Sequence, residues 1–304
     1  MKTVIALGGN ALSPRGKTSY KNLKANITKA CKSLKDIIKK HKIVIVSGSG
    51  PQIGSIVMQN ELAQKEIPSM PLHVLDAEVE GQLGYIIEQS LMNGLGKSSP
   101  VATVLSQVLV NKDDSSFRNP TKFIGPFYNK KDALLLKKKG FFIKEDCGRG
   151  YRRVVPSPKP VRIIESEAIL KLLNSGFIVI AVGGGGIPVV KTKKGLEGVD
   201  AVIDKDRASA CLATNIRADM LLILTAVPSV YLNYKKKNQK ELRKINLKQA
   251  REYTKQKHFP PGSMGPKIEA AIEYLKHGGK KVLITNFSSL KKAFKGRAGT
   301  LIIK

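Results

Sequence analysis

Acidic residues, cysteine, histidine and long apolar runs are all scarce in this chain, and each scarcity closes off a class of function. Aspartate and glutamate number 23 against 53 lysines and arginines. Cys31, Cys147 and Cys211 lie far apart with no Cys-x-x-Cys or Cys/His spacing, and the four histidines are as scattered. This argues against a disulfide framework or a Cys/His metal centre and for reduced, incidental thiols. No stretch approaches the ~20 apolar residues of a membrane span, and the N-terminus enters a strand pattern without a signal-type run. A cytoplasmic protein with no membrane partner and no protein-held metal is expected.

The formal charge of +30 invites a nucleic-acid or membrane reading. Its distribution argues otherwise. Lysines recur through the predicted helices and turns, as at Lys21, Lys24, Lys32 and Lys137 to Lys139, rather than forming one stripe interleaved with aromatics. A solvated lysine surface that draws in anionic substrates is expected, with no specific nucleic-acid partner.

What is present is an alternation of strands and helices. Residues 3–7 and 43–46 are apolar runs suited to strands buried on both faces. Leu23, Ile27, Cys31, Leu34 and Ile38 place a helix of about 20 residues between them, with Ser19 as N-cap. Further helices are expected from about Ser55 and about Asp76, then a strand over 101–110 with room for a bend. From Asn111 to Pro160 the chain turns rich in Pro, Gly and Lys, with one short helix at 131–139; this reads as an inserted subdomain or lid. Alternation resumes with helices near 165–175, from Asp206 and at 266–277, and strands at 177–182, 220–224, 282–285 and 300–303.

Four glycine-rich segments carry the chemistry: Val4-Ile-Ala-Leu-Gly-Gly-Asn10, Ile43-Val-Ile-Val-Ser-Gly-Ser-Gly50, Phe177-Ile-Val-Ile-Ala-Val-Gly-Gly-Gly-Gly186 and Gly262-Ser-Met-Gly-Pro-Lys267. Glycine admits positive φ and lets backbone N–H groups approach an anion, so such loops between strand and helix make phosphate cradles. Three follow predicted parallel strands, whose carboxyl ends converge on one crevice. None fits the Walker or dinucleotide spacing. Lys122, Lys205 and Lys267 stand out among many lysines because Gly, Pro and Asp around them fix the backbone. Asp204 and Asp206 flank Lys205 and suit either holding it or binding hydrated Mg²⁺, with helix capping as the alternative. Oriented cations and N–H groups, with no evident general base, are what phosphoryl transfer needs.

With Asn119-Pro-Thr-Lys-Phe-Ile-Gly-Pro126, Arg152-Arg-Val-Val-Pro-Ser-Pro158 and Ala201-Val-Ile-Asp-Lys-Asp206 added in order, the chain resembles carbamate kinase, of the amino-acid kinase superfamily. The resemblance implies an α/β fold: a three-layer αβα sandwich around a mainly parallel sheet of about eight strands. It implies a single domain over 1–304 with a protruding lid subdomain at 112–160, usually as a homodimer. It implies reversible phosphate transfer between carbamoyl phosphate and ADP, giving ATP and carbamate, with Mg²⁺. Lys122, Lys205 and Lys267 would neutralise phosphates and Asp206 would organise them. Gly8, Gly9, Asn10, Gly48, Ser49 and Gly50 would line the acceptor and transferring-phosphate site. Gly183, Gly184, Gly185, Asp204, Thr225, Met264 and Lys267 would hold the nucleotide.

Three segments depart from the family pattern. Ser47-Gly-Ser-Gly-Pro-Gln52 stands where His-Gly-Asn-Gly-Pro-Gln is usual, Val79-Glu80-Gly81 where Ser-Gln-Gly is usual, and Leu224-Thr-Ala-Val227 where Leu-Thr-Asp-Val is usual. Glu80 beside an anionic acceptor would cost up to a few kcal/mol if desolvated. These changes leave open a paralogous kinase for another small carboxylate or carbamoyl compound, or a weakened nucleotide-binding regulator.

Overall fold

The computed structural model describes residues 1–8, 19–96, 99–146, 150–260 and 262–304. Strand β1 (Lys2–Leu7), helix α1 (Tyr20–Ile38), β2 (Lys42–Ser47), α2 (Gly50–Ala63) and α3 (Leu72–Leu95) lead to β3 (Val101–Val104) and β4 (Gln107–Val110). β5 (Lys122–Tyr128), α4 (Lys130–Lys138), β6 (Ile143–Glu145) and β7 (Tyr151–Val155) follow. Next come β8 (Pro160–Ile163), α5 (Ser166–Asn174), β9 (Ile178–Ala181), β10 (Ile187–Thr192) and β11 (Gly195–Gly198). The last third holds α6 (Lys205–Asn215), β12 (Met220–Leu224), β13 (Val230–Leu232), β14 (Lys240–Leu242), β15 (Lys244–Asn246) and α7 (Leu247–Lys255). It ends with α8 (Met264–Lys276), β16 (Lys281–Thr285), α9 (Leu290–Phe294) and β17 (Thr300–Ile303).

The large sheet has eight strands in the order β15-β17-β16-β12-β1-β2-β9-β3. All its neighbours run parallel except β16 and β17. Alternate side chains divide between two cores. Val4, Ala6, Val44, Val46, Val179 and Ala181 pack with α5, α6 and α8, whereas Ile5, Leu7, Ile43, Ile45, Ile178 and Ile180 pack with α1, α2 and α3. A sheet buried on both faces needs strands apolar at every position, which is what these runs supply. The result is the helix–sheet–helix sandwich read from the sequence.

Differences from the expected elements have local causes. Ser19 precedes α1 without a side-chain cap bond. Helix α2 starts five residues before Ser55, because Pro51 fits a first helical turn, where its missing N–H is no loss. Helix α3 starts at Leu72, with Leu72 N–H held by Asp200 Oδ1 at 2.9 Å. The expected strand 101–110 is two strands: β3 lies in the large sheet, and β4 joins a second sheet of order β11-β10-β4-β8.

β5, β7 and β6 form a separate three-stranded antiparallel sheet within the segment read as an insertion. It rests on α2. Arg153 pairs with Glu61, and Gly54 faces Gly125, whose φ is +72°. A Cβ on Gly54 would lie 2.5 Å from the Gly125 Cα and N. Gly54→Ala gains up to ~1 kcal/mol of helix propensity but drives a methyl into backbone, at ~1–3 kcal/mol. The clash outweighs the gain, so a thermal midpoint lower than wild type is expected; an unchanged or raised midpoint would show that the sheet is not seated on α2.

Candidate functional site

The parallel register brings the ends of β1, β2, β12 and β9 to one edge of the large sheet. Gly8 follows β1 so closely against β12 that a Cβ there would meet Leu224 O at 3.0 Å. Gly48 N–H bonds Leu7 O at 3.0 Å, and Ser49 and Gly50 begin α2, whose N-terminus has no side-chain cap. Helix α8 likewise starts without one. Uncapped N–H groups at helix starts are donors for an anion. Gly9 and Asn10 lie outside the described residues.

The three lysines meet at the start of α6. Asp204 caps that helix, its Oδ1 accepting from Asp206 N–H at 3.0 Å, while its Oδ2 accepts from Lys122 Nζ at 2.7 Å. Asp206 holds the other two: Oδ1 accepts from Lys205 Nζ at 2.5 Å and Oδ2 from Lys267 Nζ at 3.1 Å. Lys267 also donates to Ser263 O at 3.1 Å, and Arg207 with Glu269 ties α6 to α8 at 2.8 Å. Sequence positions about 60 to 80 residues apart thus converge through two carboxylates. Both alternatives weighed for the pair hold in part, Asp204 capping the helix and Asp206 gripping lysines.

Burial and charge oppose one another here. Desolvation works against the Asp204 carboxylate, but Lys122, with Lys205 and Lys267 behind it, holds it far below the usual carboxylate range. Burial lowers Lys205, and Asp206 partly restores it.

Thr225 and Met264 are half-buried at the end of β12 and the start of α8, on the Lys267 side. Gly183 to Gly185 lie between the second glycine loop and the segment that leads into Asp204, where a Cβ on Gly185 would lie 2.2 Å from Ile203 O. Their turn follows β9, which is separated from β12 by β1 and β2. A Cβ on Gly184 would lie 2.5 Å from Ser49 Oγ, and one on Gly183 3.4 Å from Ser47 Oγ. Gly183 and Gly184 thus face Ser47 and Ser49 while Gly185 packs on Ile203 ahead of the lysine junction, because strand order rather than chain order sets adjacency.

Glu80 also differs from expectation. Rather than facing an anion with a free carboxylate, it is buried with both oxygens on backbone: Oε2 accepts from Ser106 N–H at 3.1 Å and Oε1 from Gly183 N–H at 2.9 Å. Burial pushes its carboxyl up to about 8, against the pull of those two N–H groups. Asp76, one turn earlier, is raised well above the usual range by burial, then by Glu80 and Asp200, with Lys122 opposing. Asp76 and Ser106 had no motif to flag them; the one signal was a polar residue at an apolar position.

Among the described residues no group of three or more His, Cys, Asp or Glu could hold a metal. No described helix is long and apolar enough to cross a membrane.

The sequence model of the Amino acid kinase family matches residues 1–286. The chain is 48% identical over 316 residues to a carbamate kinase from Clostridium perfringens, covering all of both chains. It is 44% identical over 309 residues to one from Pyrococcus horikoshii, covering 99% and 98%. The solved carbamate kinase from Giardia lamblia bound to AMP-PNP superposes with a TM-score of 0.91 at 41% identity, covering 100% of this chain and 98% of that one. The chain belongs to the amino acid kinase family and, within it, to the carbamate kinases.

Proposed function

We infer that the chain catalyses reversible phosphate transfer between carbamoyl phosphate and ADP. A β-phosphate oxygen of ADP attacks the phosphorus, the bond to the carbamate oxygen breaks, and ATP and carbamate leave. The attacking oxygen is already anionic, so no general base is needed; charge stabilisation and alignment do the work. The observation that carries this reading is the junction of Lys122, Lys205 and Lys267 on two aspartates beside uncapped helix starts.

In this reading Lys205 and Lys267 neutralise the transferring phosphate, and Asp206 keeps both from swinging to solvent. Gly8, Gly48, Ser49 and Gly50 line the acceptor and transferring phosphate; Thr225 and Met264 lie along the nucleotide. Both oxygens of Asp206 and the second oxygen of Asp204 are engaged by lysines. That donor set suits Mg²⁺ entering as MgADP, held mainly by phosphate oxygens and water. Lys122 belongs to a lid over 112–160 that closes on bound phosphates.

Two copies would form a homodimer, a state supported by exposed Met58, Leu62, Ile67, Met70, Tyr85 and Met92 on and between α2 and α3. A cytoplasmic location fits the free Cys31 and Cys211 thiols. The test is ATP formation from MgADP and carbamoyl phosphate. Turnover well above that of Lys267→Ala is expected; a better rate with another acyl or carbamoyl phosphate would replace the acceptor, and nucleotide binding without transfer would make the chain a regulator.

A further inference from the structure

Two strands leave the large sheet side by side. β3 passes into β4 across Leu105 and Ser106, β9 passes into β10 across residues 182–186, and each pair of segments is parallel. One side chain spans both kinks. Glu80 is 2% exposed, and its two oxygens take the N–H of Ser106 in the first kink and of Gly183 in the second. Ser106 closes the ring: its Oγ accepts from Val182 N–H at 2.9 Å and donates to Val104 O at 2.9 Å, and its carbonyl accepts from Ile187 N–H at 2.8 Å.

The turn they hold is strained. Val182 has φ +56° and ψ +34°, a left-handed conformation that is an outlier for a β-branched side chain. Such conformations persist where surrounding bonds over-determine them, and they cluster at functional sites. The other side of the turn is the wall formed by Ser47 and Ser49.

We propose that Glu80 is a positioning residue for the acceptor side of the site, its carboxyl tying the two kinks together and fixing the 182–186 turn against Ser47 and Ser49. It touches no reacting atom and acts through Gly183. The proposal rests on the reading that carbamoyl phosphate binds at these loops. It also explains how a carboxyl is tolerated there: buried and drawn onto two N–H groups, it titrates near 8 rather than near 4.5. The charged groups facing it are Asp76 on its own helix and Glu165 ahead of α5; Asp200 and Lys122 face Asp76. Ionisation of Glu80 as pH rises through about 8 places a charge near the bound anion.

The experiment compares Glu80→Leu, Glu80→Gln and Ser106→Ala with the wild-type chain. Glu80→Leu is expected to raise KM for carbamoyl phosphate ~tenfold or more, the loss of hydrogen bonds to a carboxyl, with KM for ADP within ~twofold. Glu80→Gln keeps one acceptor oxygen but sets its donor-only NH2 against the second backbone N–H, so it recovers only part of that loss. Having no titrating group, it also removes the rise in carbamoyl phosphate KM that the wild-type chain shows between pH 7 and 9. If Glu80→Leu does not fold, Ser106→Ala carries the same split with a smaller rise. Amide hydrogen exchange over 182–186 gives a readout independent of turnover, with ~tenfold faster exchange expected in Glu80→Leu and an intermediate rate in Glu80→Gln, which keeps one of the two acceptors.

Lower thermal stability with both KM values unchanged would overturn the proposal, as would unchanged exchange in the turn. A wild-type chain that makes no ATP from carbamoyl phosphate would sink the functional reading instead, leaving exchange to decide whether Glu80 holds the turn.

Discussion

Alanine at Lys267 is expected to lower kcat by ~10²- to 10³-fold, the range for losing one preorganised donor at a developing charge. Lys267 arrives from the first turn of α8 and is pinned twice, to Asp206 Oδ2 and to Ser263 O. It is little exposed, with a side chain 15% accessible, so its charge is weakly screened by solvent. Removing it also leaves Asp206 with one cation where there were two. KM for ADP should rise less than kcat falls, because the lost interaction strengthens as charge spreads over the transferring oxygens. Arginine should rescue poorly, since its planar fork does not match a single ammonium held between two acceptors. Steady-state ATP formation checks this; a variant keeping more than about a tenth of wild-type kcat would remove Lys267 from the transfer step.

Lys122→Ala is expected to reduce kcat by ~10²-fold while changing KM for ADP by less than ~threefold, because its cation comes from β5 and contributes once that sheet sits over the phosphates. An unchanged kcat would contradict the lid. A second effect follows from Asp204. Its folded carboxyl lies far below its unfolded value, with Lys122 the first of the cations responsible. A depressed carboxyl contributes stability above its unfolded pKa and loses it as pH falls through the folded one. The wild-type advantage in denaturant midpoint should therefore be present at neutral pH and shrink under acid. A gap that widens under acid would mean that Lys122 does not hold Asp204.

Much of the fold was legible in the chain. The apolar runs at β1, β2, β9 and β12 read directly as buried strands because both faces of the sheet are covered, leaving no polar alternation to confuse the pattern. The second sheet was not legible: β11 is Gly-Leu-Glu-Gly with every residue exposed, so periodicity carried no signal. A bend within 101–110 was legible, but not that it divides β3 and β4 between two sheets, since a strand that passes from one sheet to another keeps its residue types throughout.

The sequence by itself determined the inventory of the site: three lysines in rigid contexts, two aspartates at a helix start, and glycines at strand ends where backbone must approach an anion. Residue type and local spacing suffice for that, because capping, turn chemistry and strand burial act over a few residues. Only the tertiary structure decided which of these meet. Asp206 gathers lysines 1 and 61 residues away, Asp204 reaches one 82 residues away, and the glycines after β9 lie between Ser49 and Ile203. Glu80 changed meaning most, from an acidic intrusion to a tie between two backbone kinks. What a buried carboxyl does depends on which N–H groups the folded chain brings to it, and that is set by sheet order, which residue-to-residue spacing does not encode.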